Sequence, residues 1–459
     1  MSFTTNRRKF IKKIGGTAAA LTLANAGFSK ETRMLYEKIK ISSNDKVRIG
    51  LIGSGIIGHY DTDTALRVPG VELVAVCDLY DGRLERAKEK WGKDIFTTRD
   101  YREILAKKDI DAVLICVPDH WHSHISIDAL HAGKHVYCEK PMVKNISEGH
   151  DVINAHKKSG KVFQVGSQKA SSLGVLEAKK YFQQGLIGDL TYVEAACDRS
   201  DAKGAWQYSI PTDASPQNID FDKFLGNAPK VPFDPVRFFR WRNYKEYGTG
   251  VGGDLFVHLL TGLHTITDSL GPDKIFALGA INYWKDGRNA YDICTGLMQY
   301  SKSATHPAFQ FMTRVNLADG AGGSLSTRLI GTEGIIDMGW NDFTVKHFKR
   351  PEAPGFGGYD SFDSFSAKQK EDFKKWYDSK YGSSSKQVKY EKEITYKVEP
   401  GYDDRLSHMT NFFESIRTGK VVAEDSTFGL RAAGPSIAAN ISAEKGKAVL
   451  WDNVAMKIK

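Results

Sequence analysis

Cysteine is scarce, five residues in 459 (Cys77, Cys116, Cys138, Cys197, Cys294), with no Cys-x-x-Cys pair and no histidine at ligand spacing beside them. That argues against a cysteine-based zinc site, and the odd count argues against a full disulfide framework. Three of the five close apolar, strand-like runs, where a free thiol packs as a small hydrophobe. Long apolar runs are missing too: Ile14 to Leu23 falls well short of the roughly 20 residues a bilayer span needs. An excess of one charge is also slight. The net charge is +9, but Arg7, Arg8, Lys9, Lys12 and Lys13 sit in the first 26 residues, which hold no acid, and the remainder carries only +4. No run of Lys and Arg interleaved with aromatics follows, so nothing points to nucleic acid. What remains is ordinary globular composition, 41% hydrophobic and 26% charged. The length fits about two to three domains.

The opening stretch has the order of an address. Thr4 to Lys13 is a basic segment with a twin arginine, the weakly apolar run follows, and Ala24-Asn25-Ala26 offers small residues before Gly27. It resembles a bacterial twin-arginine export signal over residues 1–26, which implies a periplasmic or otherwise exported protein, soluble after export. That route moves folded proteins, so a cofactor bound in the cytoplasm can travel with its enzyme. Residues 27–45 read as a polar linker.

From Lys46 the pattern changes. Lys46 to Ile52 alternates and then becomes wholly apolar, as a central parallel strand does. Gly53-Ser54-Gly55-Ile56-Ile57-Gly58 follows at once. Gly53 allows the tight turn, Gly55 lets backbone approach a pyrophosphate, and Gly58 lets a helix pack on the strand, while Ile56 and Ile57 open that helix toward the phosphates. The second strand, Val71 to Cys77, ends in Asp78, 20 residues after the last glycine, where a carboxylate can bind ribose hydroxyls. Asp78 favours NAD over NADP, because a 2′-phosphate would meet its charge, although Arg83 lies nearby. Helices and strands then alternate to Cys138, which gives an α/β, doubly wound domain over residues 46–167.

At Val113-Leu114-Ile115-Cys116-Val117-Pro118-Asp119-His120-Trp121-His122 and Val136-Tyr137-Cys138-Glu139-Lys140-Pro141 the chain resembles the Gfo/Idh/MocA family of sugar and polyol oxidoreductases. The likeness runs from about Lys46 to Asp452, and Glu-Lys-Pro is its most specific mark. It implies that Lys140 lies beside the nicotinamide and positions or deprotonates a substrate hydroxyl, with Glu139, Pro118 and His122 along the cofactor. A lysine at the C-terminal end of a parallel strand sits at the ligand edge of such sheets, which agrees. Gln168 stands where relatives turn toward the second domain. His120, His122 and His124 lack the carboxylates a metal site needs, so no metal is expected. The resemblance further implies that residues 168–452 form an α+β domain with a large, mainly antiparallel open sheet, often an oligomer interface in relatives. A homo-oligomer is therefore expected. Strand-like stretches at 191–196, 275–283, 295–300, 308–316 and 323–330 fit such a sheet. Residues 350–401, rich in glycine and proline and then charged and helical, read as an insertion.

Relatives carry a helix reading Asp-x-x-x-His-x-x-Asp toward the substrate. Here the segment is Gly252 to His264, in which Val257 and Thr261 replace the first acid and the histidine, and His264 takes the last position. Asp254 and His258 are four apart, so on an α-helix they share a face and the carboxylate can orient the imidazole. His258 is the first choice for a substrate-facing acid or base and His264 the second. Trp241 and Arg242, just upstream, are candidates to stack on a sugar and anchor its hydroxyls.

Three functions are open on these residues, all with a small carbohydrate as partner. The leading expectation is an NAD(P)-dependent oxidoreductase on a sugar, polyol or glycoside hydroxyl or keto group. A second is a glycosidase that uses tightly bound NAD in a redox-neutral oxidation and elimination cycle, which suits export; the tyrosine-containing motif associated with those hydrolases is missing. The third is a sugar-binding protein that keeps its cofactor without turnover.

Overall fold

The computed structural model describes residues 46–459. The expected export signal and linker lie outside the described residues. The first sheet has six parallel strands, β1 (Val47–Ile52), β2 (Val71–Cys77), β3 (Phe96–Thr98), β4 (Ala112–Ile115), β5 (His135–Cys138) and β6 (Phe163–Val165). They stand in the order β3-β2-β1-β4-β5-β6. Helices α1 (Ile56–Ala65), α2 (Asp81–Trp91), α3 (Tyr101–Ala106), α4 (Asp119–His131) and α5 (Gly149–Ser159) intervene. All four residues of β4 and five of six in β1 are buried, all but Arg48, as the apolar runs Ala112–Ile115 and Ile49–Ile52 require when helices cover both faces. The chain steps outward from β1 to β3 and returns to β4, so a crevice opens at the C-terminal ends of β1 and β4.

Two glycines hold that crevice open. Gly53 turns at φ 95°, and a Cβ there would meet the Cys116 carbonyl oxygen at 2.5 Å. At Gly58 a Cβ would lie 2.1 Å from the Gly53 oxygen, so only glycine lets α1 start so close to β1.

Helix α6 (Leu173–Gln183) leads into a second sheet of ten strands. Its members are β7 (Leu190–Asp198), β8 (Lys274–Ala280), β9 (Ile293–Tyr300), β10 (Phe309–Asn316), β11 (Ser324–Gly331), β12 (Gly334–Met338), β13 (Phe343–Lys349), β14 (Lys389–Tyr396), β15 (Val449–Asp452) and β16 (Lys457–Ile458). Every neighbouring pair is antiparallel except β7 and β10. Between β7 and β8 run α7 (Phe221–Leu225), α8 (Pro235–Phe239) and α9 (Val257–Thr267); α10 (Ala367–Tyr381), α11 (Asp404–Thr418) and α12 (Ser426–Lys445) come later. Residues of α6, α9 and α12 bury one face of this sheet in a core with Val193, Ile275, Met298 and Phe311. The opposite face of β9 leaves Thr295, Leu297 and Gln299 exposed, the period-2 pattern of a one-sided sheet. Residues 350–401 do more than loop over the surface. Their strand β14 pairs with β13 and forms the sheet's edge, and Phe356, Phe362, Phe373 and Tyr377 pack together beside α10. All five cysteines are buried and free.

Glu424, in the turn between α11 and α12, ties the sheets together: its carbonyl accepts the Val165 amide of β6 at 3.0 Å. Its carboxyl is buried and makes no hydrogen bond of normal geometry, the hydroxyls of Ser167 and Thr261 being its polar neighbours. Burial raises its pKa well above the usual glutamate value. The unfolded chain loses that proton near pH ~4.3 while the folded protein keeps it, so stability falls as pH rises through this window. Glu424→Gln is expected to raise the melting temperature, relative to the parent, more at pH 8 than at pH 5. A pH-independent difference would mean that the carboxyl is ionised in the fold.

Candidate functional site

The crevice at the strand ends is a cleft of about 1130 Å³, counting space open to solvent. Gly53, Gly55, Ile56 and Ile57 line it from the first turn, Asp78 from the end of β2, and Pro118 and His122 from the start of α4. Glu139 and Lys140 border it after β5, and Trp241 and Arg242 close its far end. Gly58 and Gln168 do not line it. Gly58 is packed under the turn, and Gln168 stands behind Glu139, its Nε2 3.5 Å from Oε1. A Cβ at Gly55 would find only the Arg83 guanidinium, at 3.8 Å, so backbone is bare there, as an approaching pyrophosphate requires.

Asp78 is rigidly held. Its carboxylate accepts the Ser54 amide at 2.8 Å and the Tyr80 amide at 3.0 Å. Arg83 stands 3.4 Å away, its guanidinium between Asp78 and the rings of Phe238 and Phe239. Those phenylalanines come from the long connection between β7 and α9. That connection docks on the first sheet through backbone hydrogen bonds from Asp81 to Asn218 and from Asp220 to Leu79. With Phe224 and Lys223 it walls the nucleotide end of the cleft.

Beneath Lys140 the floor is built from buried polar groups. The two ring nitrogens of His122 face the carbonyl oxygens of Pro141, at 2.7 Å, and Val117, at 2.8 Å, which clamps the end of β4 to the Lys140-Pro141 stretch. Asp61, from α1, is buried against Glu139 and takes the Cys116 thiol as a donor at 3.6 Å. Burial raises both carboxyls; Glu139 raises Asp61 further, whereas the nearby Lys140 and the Asp61 hydrogen bond partly offset the burial of Glu139.

The catalytic end departs from the expected helix. Gly252–Phe256 is a π-helical turn, and α9 begins only at Val257. The extra residue in that turn breaks the α-helical spacing between Asp254 and His258, so the expected carboxylate–imidazole pair does not form. Asp254 instead reaches Lys140. The ammonium donates to its carboxylate at 2.8 Å and to its backbone oxygen at 3.0 Å, and the Arg242 Nε lies 3.4 Å from the same carboxylate. Although burial alone would push Asp254 upward, these two cations hold its pKa well below the usual range. Lys140 thus spends two of its three N–H donors on Asp254 and keeps one.

His258 is partly buried beside this pair, and its ring makes no hydrogen bond among the described residues. Burial first, and the Lys140 charge second, hold its pKa well below 6.5, so its ring is neutral at physiological pH. His264 goes elsewhere. Its Nε2 meets the Tyr300 hydroxyl at 3.0 Å within the core under the second sheet, where burial lowers its pKa to about 3. It joins neither the cleft nor Lys140, because the π-helical turn re-phases α9 so that this position faces the strands. Trp241 is likewise engaged: the Arg242 guanidinium lies 4.2 Å over its ring.

Several residues at the site are not among the candidates read from the sequence. Asp119 lines the cleft and is fixed by two hydrogen bonds from Thr249. Trp340, 39% exposed, sits 6.1 Å from the His258 ring and is the more open aromatic for a sugar face. Arg199, at the end of β7, acts electrostatically on both Asp254 and His258. Among the described residues no group of three or more His, Cys, Asp or Glu side chains is placed to hold a metal ion, and no helix is long and apolar enough to cross a membrane.

Known proteins resemble the chain in two ways. Its fold is similar to that of a levoglucosan dehydrogenase solved with NADH and levoglucosan, at a TM-score of 0.62 and 18% identity, covering 88% of this chain and 99% of that one. In sequence it is 33% identical over 144 residues to inositol 2-dehydrogenase of Salmonella typhimurium, which is 31% of this chain and 43% of that protein. It is also 29% identical over 208 residues to an alpha-N-acetylgalactosaminidase of Shewanella oneidensis, 42% of this chain and 45% of that protein. The chain therefore spans less than half the length of the curated relatives it matches. Residues 47–167 match the Gfo/Idh/MocA model, described as an oxidoreductase family with an NAD-binding Rossmann fold, and this stretch of the chain is such a domain.

Proposed function

We propose that the protein is an NAD-dependent oxidoreductase that transfers hydride between the cofactor and a hydroxyl-bearing carbon of a sugar, polyol or glycoside. The observation that carries the proposal is a lysine at the inner end of a dinucleotide cleft, fixed by Asp254, with a neutral, unengaged imidazole within its electrostatic reach. NAD, when bound, supplies the two-electron acceptor. Gly53, Gly55 and the N-terminus of α1 would hold its pyrophosphate, and Asp78 the ribose next to the adenine. The remaining N–H of Lys140 donates to the substrate oxygen and stabilises the negative charge that grows there as its proton leaves. His258, neutral and free of other partners, accepts that proton. Asp254 fixes the ammonium, and Arg242 fixes Asp254. In the reverse direction His258 returns the proton and Lys140 polarises the carbonyl.

A redox-neutral glycosidase is the second reading. The wall of Phe224, Phe238 and Phe239 beside the nucleotide end favours a cofactor that stays bound through repeated cycles. The partial likeness to the Shewanella glycosidase points the same way. Incubation with glycosides separates the two: a keto-sugar with rising 340 nm absorbance marks the dehydrogenase, and free sugar without net reduction marks the glycosidase.

Protein purified without added nucleotide is expected to release NAD on denaturation, identified by mass spectrometry; a preparation that neither contains nor binds NAD or NADP overturns the proposal. Lys140→Met should lower kcat by about 10²–10⁴-fold while cofactor binding persists. For His258, protonation stops the oxidative step, so kcat should stay level as pH drops past 6.5 and decline only below the lowered pKa. His258→Asn should remove that acid limb along with most of the rate. An acid limb centred near 6.5 in the parent would assign the base to another group.

A further inference from the structure

Charge around the proposed reaction centre is strongly one-sided. Lys140 and Arg242 lie 2.8 Å and 3.4 Å from the Asp254 carboxylate. The Lys169 ammonium stands 4.3 Å over the ring of Trp340, itself 6.1 Å from the His258 ring, and Arg199 acts electrostatically on both Asp254 and His258. Asp254 is already shared between Lys140 and Arg242. Among the described residues neither Arg199 nor Lys169 has a carboxylate within ion-pair distance. Other acids close by are committed: Asp198 binds Arg314 at 2.7 Å together with Ser324 and Asn316, and Asp119 is buried under Thr249.

Two of the cations also have donors to spare. Arg242 uses only its Nε within the protein, and its terminal nitrogens, at the far end of the cleft, have no hydrogen-bond acceptor among the described residues. The Arg199 guanidinium donates a single bond among the described residues, to the Gly204 oxygen at 3.0 Å. Lys169 is fixed to the Trp340 and Gly339 carbonyl oxygens, with its ammonium 4.3 Å over the Trp340 ring, so it adds charge without reaching out. Beside these groups stands the partly exposed Trp340 face. A neutral sugar would leave the surplus charge unanswered, and a bound oxidised nicotinamide would add one more positive charge. Guanidinium groups with free N–H forks are suited to carboxylate and sulfate oxygens.

Building on the oxidoreductase reading, we infer that the substrate is an anionic carbohydrate, a sugar bearing a carboxylate or a sulfate ester, whose charged group is held by Arg199 and Arg242 while its ring lies against Trp340. The shared chemistry is an oxyanion at a fixed distance from the reacting hydroxyl.

Calorimetric titration of the protein as purified, with its nucleotide, against glucuronate, galacturonate, glucose 6-sulfate, glucose and galactose tests this. The acidic sugars are expected to bind at least about tenfold more tightly than the neutral ones, the difference one charge-assisted hydrogen bond makes. The preference should shrink as salt rises to about 0.5 M. Tighter binding of the uronates than of the sulfate, or the reverse, tells which oxyanion the site is shaped for. Arg199→Gln should bring the ratio of acidic to neutral affinity close to one, and Arg199→Lys should restore part of it, with an unchanged melting temperature showing that both variants fold. Neutral sugars binding as tightly as acidic ones would overturn the inference and leave sugar oxidation standing. Failure of every sugar to bind would overturn both.

Discussion

Lys140 and Asp254 are 114 residues apart, yet their side chains meet at 2.8 Å, both almost wholly buried. One follows the fifth strand of the parallel sheet, and the other sits in the π-helical turn beside the second sheet. Removing two charges from water is costly, and a lone buried pair repays that cost only with good geometry and further hydrogen bonds. Here the Asp254 backbone oxygen and Arg242 provide them. The arrangement therefore makes sense as a device of orientation more than of stability: it fixes the ammonium where the cofactor domain and the second sheet come together.

The rest of the centre follows from that pair. With Asp254 committed to Lys140, His258 loses its expected acid partner, and without one its burial and the neighbouring cation keep the imidazole neutral. A neutral imidazole is a usable base, whereas one paired with a carboxylate would be held charged. On the other side of Lys140, burial raises the pKa of Asp61 and of Glu139, and Glu139 raises that of Asp61 further. Had both acids been charged, they would have drawn the ammonium toward the floor of the cleft. Their suppressed charge leaves Asp254 as its dominant partner.

The cofactor half was legible because each feature is local. The strand, the glycine turn and Asp78 lie within about thirty residues, their spacing is imposed by backbone geometry, and Gly53 and Gly58 fail as any other residue. Helix α10 was legible as the charged, helical stretch within residues 350–401. The catalytic half was harder, since its pattern assumed α-helical spacing and a π-helical turn looks the same in sequence. That single turn undid the Asp254–His258 pairing and sent His264 into the core against Tyr300. Arg199, Lys169, Asp119 and Trp340 come from four separate segments, and only the fold brings them within reach of His258 and Asp254. Edge strand β14 was hidden for a related reason: nearly all its residues are exposed, so it lacks the burial rhythm that betrays a strand.

Backbone and charge divide the work between the two halves. The nucleotide end is shaped by bare amides and two glycines that tolerate no side chain, so it is fixed and can vary little. At the other end recognition rests on side chains, Arg199, Arg242, His258 and Trp340, carried by a strand end, a short 3-10 turn, a helix and a loop. Each can change without disturbing the pyrophosphate turn, because none of them packs beneath it. What cannot change independently is the Lys140–Asp254 pair, which belongs to both halves at once. Selection for a different substrate would therefore be expected to act around that pair, on the cations and the aromatic face, and to leave the pair itself in place.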